Sequence, residues 1–211
     1  MSGARRWTRC DYSIDAITLA QRIIGHRLVH VTRGGTRVSG IIVETEAYLG
    51  VEDRAAHTFG GRRTARNASM YAHAGTAYVY FTYGMHHCMN VVCGREGEPT
   101  AVLIRALEPE EGMGLMSRRR RGRGGKAVRV EDLCSGPAKL TQALGIDLRQ
   151  DGVDLGVHPR LFVEWLGDGG ASRPLENTAR VGVEYAREWG KAPLRWFVRG
   201  SRFASRGRPV A

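Results

Sequence analysis

Apolar and polar residues alternate over several short stretches of the chain, and that period of two predicts an architecture built mainly of strands. "RLVHV" (27–31) and "RVSGIIVE" (37–44) flank the turn-rich "TRGGT", the pattern of a hairpin. "TAYVYFTYGMHHCMNVVC" (76–93) is rich in β-branched and aromatic residues and is broken by "YGM". Two strands are therefore predicted to meet in a protruding hairpin with Tyr83, Gly84 and Met85 at its tip. "TAVLIRALEP" (100–109) is a further strand with Pro109 marking its exit, and "RLFVEWL" (160–166) and "LRWFVRG" (194–200) are late strands. Helical signals are confined to two places. One is 11–26, with Ser13 as N-cap and Gly25 as stop; the other is 134–146, capped by Ser135 with Pro137 in its first turn. No repeat is visible and no linker divides the chain. Its 211 residues suit one α+β domain spanning 1–211, with a mostly antiparallel sheet as core (about 10–203), flanking helices and a tail at 204–211.

Two segments lack a period. Residues 50–69 carry Arg54, Arg62, Arg63, Arg66 and His57 and read as a long functional loop. "SRRRRGRGGKAVR" (117–129) reads as a basic mobile loop. These arginines belong to a wider excess: the net charge is +11, and Lys126, Lys139 and Lys191 are the only lysines. Guanidinium forks match phosphate geometry, so a polyanion such as nucleic acid is the partner this balance favours. Cys10, Cys88, Cys93 and Cys134 contain no C-x-x-C pair, which argues against a zinc ribbon or a redox motif. No apolar run approaches the roughly 18 residues of a membrane helix. The N-terminus lacks the apolar core of a signal peptide, and a cytoplasmic protein is expected.

The candidate chemistry begins in "IVETEAYLG" (42–50), where a strand ends on Glu44, Glu46 and Tyr48. Residues two apart share a strand face, so these three point toward a polar cleft while Val43, Thr45 and Ala47 pack. A carboxylate in a cleft can take a proton from water; the alternative is that both glutamates pair with arginines at a sheet edge. His86 and His87 are adjacent and face opposite sides, which disfavours shared metal ligation, and no metal is expected. Tyr78 and Tyr80 offer ring faces of the kind on which bases stack, although cross-strand packing also accounts for Tyr78. An aromatic at an exposed turn, Tyr83, suits a wedge between base steps.

Taken in order, "VETEAYLG", "AAHTFGGRRTARN", "GTAYVYFTYGMHHCMN", "LIRALEP", "LCSGPAKLTQAL" and "LRWFVRGS" resemble the alkyladenine DNA glycosylase family over residues 10–203. The resemblance implies an enzyme that extrudes alkylated or deaminated purines from double-stranded DNA and hydrolyses the N-glycosidic bond, as a monomer without cofactor or metal. It implies that Glu46 is the general base and that Arg105 holds the attacking water and a phosphate. Tyr48, His57 and Tyr80 match the walls of the base pocket, and Asn90 matches the residue that rejects guanine. Tyr83 matches the wedge, Met85 its minor-groove neighbour, and Arg62 and Ser201 match contacts to the DNA backbone. No lysine is among the residues assigned to chemistry, which implies a monofunctional enzyme that leaves an abasic site. The chain departs from the family pattern at His86–His87, at Val51 and in "CGREGEPT" (93–100), none of which touches those assignments. A non-catalytic nucleic-acid-binding module also explains the charge, but not Glu46, Asn90 and Arg105 together.

Overall fold

The computed structural model describes residues 5–121, 125–167 and 173–205. It opens with a two-residue strand, β1 (Arg5–Arg6), and two short helices, α1 (Arg9–Tyr12) and α2 (Ala16–Arg22). The single helix predicted over 11–26 is thus divided. Asp15, not Ser13, is the N-cap of α2 and accepts the Thr18 N–H at 2.9 Å. Asp11 is drawn to the start of α1, where it accepts from Thr8 N and Oγ1 and from Arg5. Two capping acids four residues apart start two helices.

β2 (Arg27–Val31) and β3 (Arg37–Tyr48) form the predicted hairpin, and β4 (Ala77–Thr82) and β5 (His86–Cys93) form the second one, with its tip as expected. β6 (Thr100–Glu111) does not end at Pro109. Pro109 lies opposite Gly40 at a shift in register with β3, a place where a missing ladder N–H is tolerated. The chain leaves β6 at Gly112 (φ 72°), where a Cβ would stand 2.4 Å from Val38 Cγ1.

Helix α3 (Met113–Arg120) then occupies part of the segment expected to be a mobile loop. The reason is internal use of its cations. Arg119 Nη1 donates to the Ala143 carbonyl at 3.0 Å, and Arg120 donates to the Leu133 carbonyl and to Gln142 Oε1. Arg119 thereby satisfies a carbonyl in the last turn of α4 (Pro137–Leu144). Residues 122–124 of that expected loop, and 206–211 of the expected tail, lie outside the described residues. Pro137 opens α4 as expected, but the N-cap is Gly136; Ser135 Oγ instead accepts from Lys139 Nζ at 3.0 Å.

β7 (Leu161–Trp165) and the pair β8 (Leu175–Thr178) and β9 (Arg195–Val198) complete the sheet around α5 (Glu188–Lys191). Among the described residues nine antiparallel strands run in the order β1-β7-β2-β3-β6-β5-β4, with β9 joined to β3 and β8 to β9. The α+β single-domain expectation holds, with β1 and β8 added. Val43, Ala47, Val79, Met89, Val91, Val102 and Ile104 share one core with Leu19 of α2, its C-capping Ile23, and Leu140 and Leu144 of α4. Thr45 ties α2 to this face through a 2.7 Å bond to the Ala20 carbonyl. No helix among the described residues is long and apolar enough to cross a membrane. All four cysteines are free thiols.

Candidate active site

Strand alternation puts a second set of side chains on the face opposite that core. Glu44, Glu46 and Tyr48 come from β3, Leu103 and Arg105 from β6, Cys88 and Asn90 from β5, and Tyr78 and Tyr80 from β4. Loops carrying His57, Val181 and Tyr185 and the start of α4 close them around a cavity of about 770 Å³.

The glutamates do not face that cavity. Both are 0% exposed and sit one layer behind its wall, contrary to the polar cleft expected from strand spacing. The reason is that each carboxylate is surrounded by donors. Glu46 Oε1 takes the Val181 N–H at 2.8 Å and lies 3.1 Å from Arg105 Nη1; its Oε2 takes the Tyr48 hydroxyl at 2.9 Å. Glu44 Oε1 accepts from Arg105 Nε, Arg195 Nε and Ser205 Oγ at 2.8, 2.7 and 2.7 Å, and its Oε2 accepts the Ser205 N–H at 2.5 Å. Pairing with arginine, the alternative left open by the sequence, therefore holds for both glutamates, since Arg105 bridges Glu44 and Glu46, but it occurs on the central strand β3 and not at a sheet edge. Burial works against the Glu44 charge, but Arg105, Arg195 and Ser205 outweigh it and hold the carboxyl below its usual range. Burial likewise opposes the Arg105 charge and is overcome by Glu46 and Glu44, so the guanidinium stays protonated.

Tyr48 and Arg105 separate Glu46 from the cavity and line it themselves. Burial, reinforced by Glu46, keeps the Tyr48 phenol well above its ordinary pKa and so keeps it a hydrogen-bond donor. Over the same ring lies Arg180, with its guanidinium carbon 4.7 Å from the ring centre. Arg180 forks Asp53 at 2.5 and 2.8 Å and donates to the carbonyls of Ala47 and Trp189. Asp53 in turn accepts the N–H groups of Leu49 and Ala55. One buried ion pair thus joins the end of β3, the 50–57 loop and the 180–189 segment.

Across the wall, His57 Nδ1 is 2.7 Å from the Tyr78 hydroxyl, and its ring meets Tyr80 edge-on at 4.6 Å between centres. Desolvation by its neighbours, helped by Arg66 and Arg62, lowers the His57 pKa and favours the neutral imidazole. Asn90 is 4% exposed and donates to the Tyr78 carbonyl at 3.2 Å. Tyr83 lines the mouth of the cavity at 69% exposure. Its φ of 50° and the 66° of Gly84, with the Met85 N–H on the Thr82 carbonyl, give the positive-φ pattern of a type I′ turn. A tyrosine rarely occupies that conformation, and such strain is concentrated at functional positions.

The residues singled out from sequence thus divide into two groups. Tyr48, His57, Tyr80, Tyr83, Asn90 and Arg105 line one cavity, with Glu46 immediately behind. Met85, Arg62 and Ser201 are not in its wall. Met85 is 70% exposed at the hairpin tip; the Arg62 carbonyl accepts from Asn67 and Tyr71; the Ser201 hydroxyl accepts the Phe203 N–H. His86 lines the cavity, whereas His87 packs against Phe81 at 5.1 Å, as their opposite facing requires. Among the described residues no group of three or more His, Cys, Asp or Glu is placed to hold a metal ion. Sequence reasoning missed Asp53, Arg180, Val181, Arg195 and Ser205. Their partners lie more than a hundred residues away, and nothing in local periodicity marks them.

The family described as methylpurine-DNA glycosylase matches residues 10–202. The human protein named DNA-3-methyladenine glycosylase is 46% identical over 195 residues, which are 90% of this chain and 64% of that protein. The mouse protein of the same name is 44% identical over 202 residues, 90% of this chain and 58% of its own length. The chain therefore spans about three fifths of the length of these mammalian relatives. A bacterial relative from Desulfitobacterium hafniense is 41% identical over 204 residues, 95% of this chain and 98% of that protein. A family match over residues 10–202, with relatives at 41–46% identity, places the chain: it belongs to the methylpurine-DNA glycosylase family.

Proposed function

We propose that this chain is a base-excision-repair glycosylase. It turns alkylated or deaminated purines, such as 3-methyladenine, hypoxanthine and ethenoadenine, out of duplex DNA and hydrolyses their N-glycosidic bond. It works as a monomer in the bacterial cytoplasm, uses no cofactor and leaves an abasic site uncut. The observation that carries this reading is one cavity lined by Tyr48, His57 and Tyr80, with Glu46 2.9 Å behind the Tyr48 hydroxyl.

Extruding a nucleotide costs a few kcal/mol, least for a damaged or mispaired base. Tyr83 at its strained turn fills the gap left in the stack. The base then lies against Tyr48, His57 and Tyr80, and Asn90 tests its edge. Arg105 holds the water and Glu46 takes its proton. Because Glu46 is enclosed by Tyr48 and Arg105, water reaches it only once the Tyr48 hydroxyl gives way. Tightening of catalytic contacts on substrate binding is usual, and resting geometry does not disqualify a base. A cationic alkylated purine leaves readily, whereas hypoxanthine needs a proton as it leaves.

A second reading rests on Lys139, which lines the cavity with Nζ 3.0 Å from Ser135 Oγ. A lysine attacking the sugar would form a Schiff base and nick the strand. A duplex carrying one hypoxanthine, treated with the protein and run on a gel with and without alkali, separates the outcomes. A band only after alkali supports the proposal. A band without alkali supports the Lys139 route, and no band in either lane leaves a module that binds damage without excising it.

A further inference from the structure

We infer that Ser205 is a positioning residue for excision, acting through Glu44 on Arg105. This rests on the glycosylase reading above. Glu44, Glu46, Arg105 and Arg195 form a cluster of two acids and two guanidiniums, each 8% exposed or less. Such a cluster is stable only while its hydrogen bonds are complete. Arg105 is shared: its Nε goes to Glu44 and its Nη1 to Glu46. Ser205 closes the other side of Glu44, giving a hydroxyl to Oε1 and its backbone N–H to Oε2. It also accepts Arg105 Nη2 on its hydroxyl at 3.3 Å and Arg195 Nη2 on its carbonyl at 3.0 Å.

Without these donors, a fully buried carboxylate oxygen is left exposed to the pull of the guanidiniums beside it. Glu44 turns toward them, and Arg105 cannot follow Glu44 without leaving Glu46. The segment is built to prevent this. Phe203 is 7% exposed within the main core and its N–H is tied to Ser201 Oγ, which holds Ser205 at the cavity wall. A residue far along the chain from β3 therefore sets the geometry of the groups that handle water.

Three variants grade the effect. Ser205→Pro removes both donors, Ser205→Ala removes the hydroxyl alone, and Ser205→Thr keeps both. The readouts are the single-turnover release of hypoxanthine at saturating protein and the affinity for a duplex carrying a tetrahydrofuran abasic-site analogue. Release is expected to fall about tenfold to a hundredfold in the proline variant and about threefold to tenfold in the alanine variant, and to stay within about twofold in the threonine variant. Affinity stays within about twofold throughout. Should the proline variant fail to fold, the alanine and threonine pair decides the matter. Undiminished release by a folded proline variant overturns the inference, as does an equal loss in Ala and Thr, or a parallel loss of release and affinity. If the unaltered chain releases no base, the glycosylase reading falls and takes this inference with it.

Discussion

The guanidinium of Arg180 lies over the ring of Tyr48, 4.7 Å from its centre, while the same group forks Asp53 with neither side chain exposed. Enclosed pairs of this kind are expensive to break by halves, because the surviving charge stays buried. Asp53→Asn leaves Arg180 without its nearest counter-charge and weakens the anchor of three segments. The expected loss is about 3–5 kcal/mol of unfolding free energy, read as a lower urea midpoint at unchanged slope. A midpoint shift worth under about 1 kcal/mol would show that the pair is dispensable.

Glu46→Gln preserves size and still accepts the Val181 N–H now made at 2.8 Å. It is expected to bind hypoxanthine-containing duplex within about threefold of the unaltered chain while releasing the base at least about a hundredfold more slowly. Release at the normal rate would remove Glu46 from the chemistry.

Tyr83 touches no core and holds a positive φ, so its replacement separates function from folding. Tyr83→Gly relieves backbone strain and is expected to raise stability by a few tenths to about 1 kcal/mol. The same variant loses the wedge, and release of hypoxanthine from duplex falls about tenfold or more. Release from single-stranded DNA, which needs no gap-filling, changes far less. An equal loss on both substrates would refute the wedge.

Acid weakens the fold through its histidines. Burial lowers the pKa of His30, aided by Arg119 and Arg160 and opposed by the Leu144 carbonyl that its Nδ1–H meets at 2.8 Å. His158 is shifted the same way, burial again first, with Arg160 and Arg6 adding to it. In each case the unfolded chain binds the proton more readily than the folded one. Stability is therefore complete above the free imidazole value of about 6.5 and declines as pH falls through it. Asp11 and Glu44, whose folded pKa values are depressed, add their own loss only below about pH 4.5. Urea midpoints that stay level between about pH 7.5 and about pH 5.5 would contradict this.

What the chain disclosed in advance follows from the range of the forces involved. Strand alternation is local, so Glu46 and Tyr48, Tyr78 and Tyr80, and the tip at Tyr83 were all legible as neighbours on one face. Helix boundaries were not, because Ser13 and Asp15 compete as caps and tertiary contacts decide between them. Arg119 and Arg120 read as part of a basic mobile loop, yet their guanidiniums are bonded to carbonyls that only the folded chain brings near. The same distance hides Asp53–Arg180 and Glu44–Ser205. Such pairs follow from topology and leave no imprint on the spacing of neighbours. The buried state of Glu46 was illegible for the same reason, since Val181 lies 135 residues away.

The bond from the Tyr48 hydroxyl to Glu46 has a consequence for how such a protein would patrol intact chromosomes. On the glycosylase reading, a resting molecule on sound duplex would present the Tyr48 phenol and the Arg105 guanidinium to a visitor, with Glu46 kept behind them. A nucleotide that merely peeked out of the stack would meet a shut door; one that swung fully inside would push the ring aside and admit solvent. On the glycosylase reading, fidelity would then depend first on how deeply a visitor penetrates, so that most ordinary purines are spared by never arriving and Asn90 is left only the few that enter to turn away.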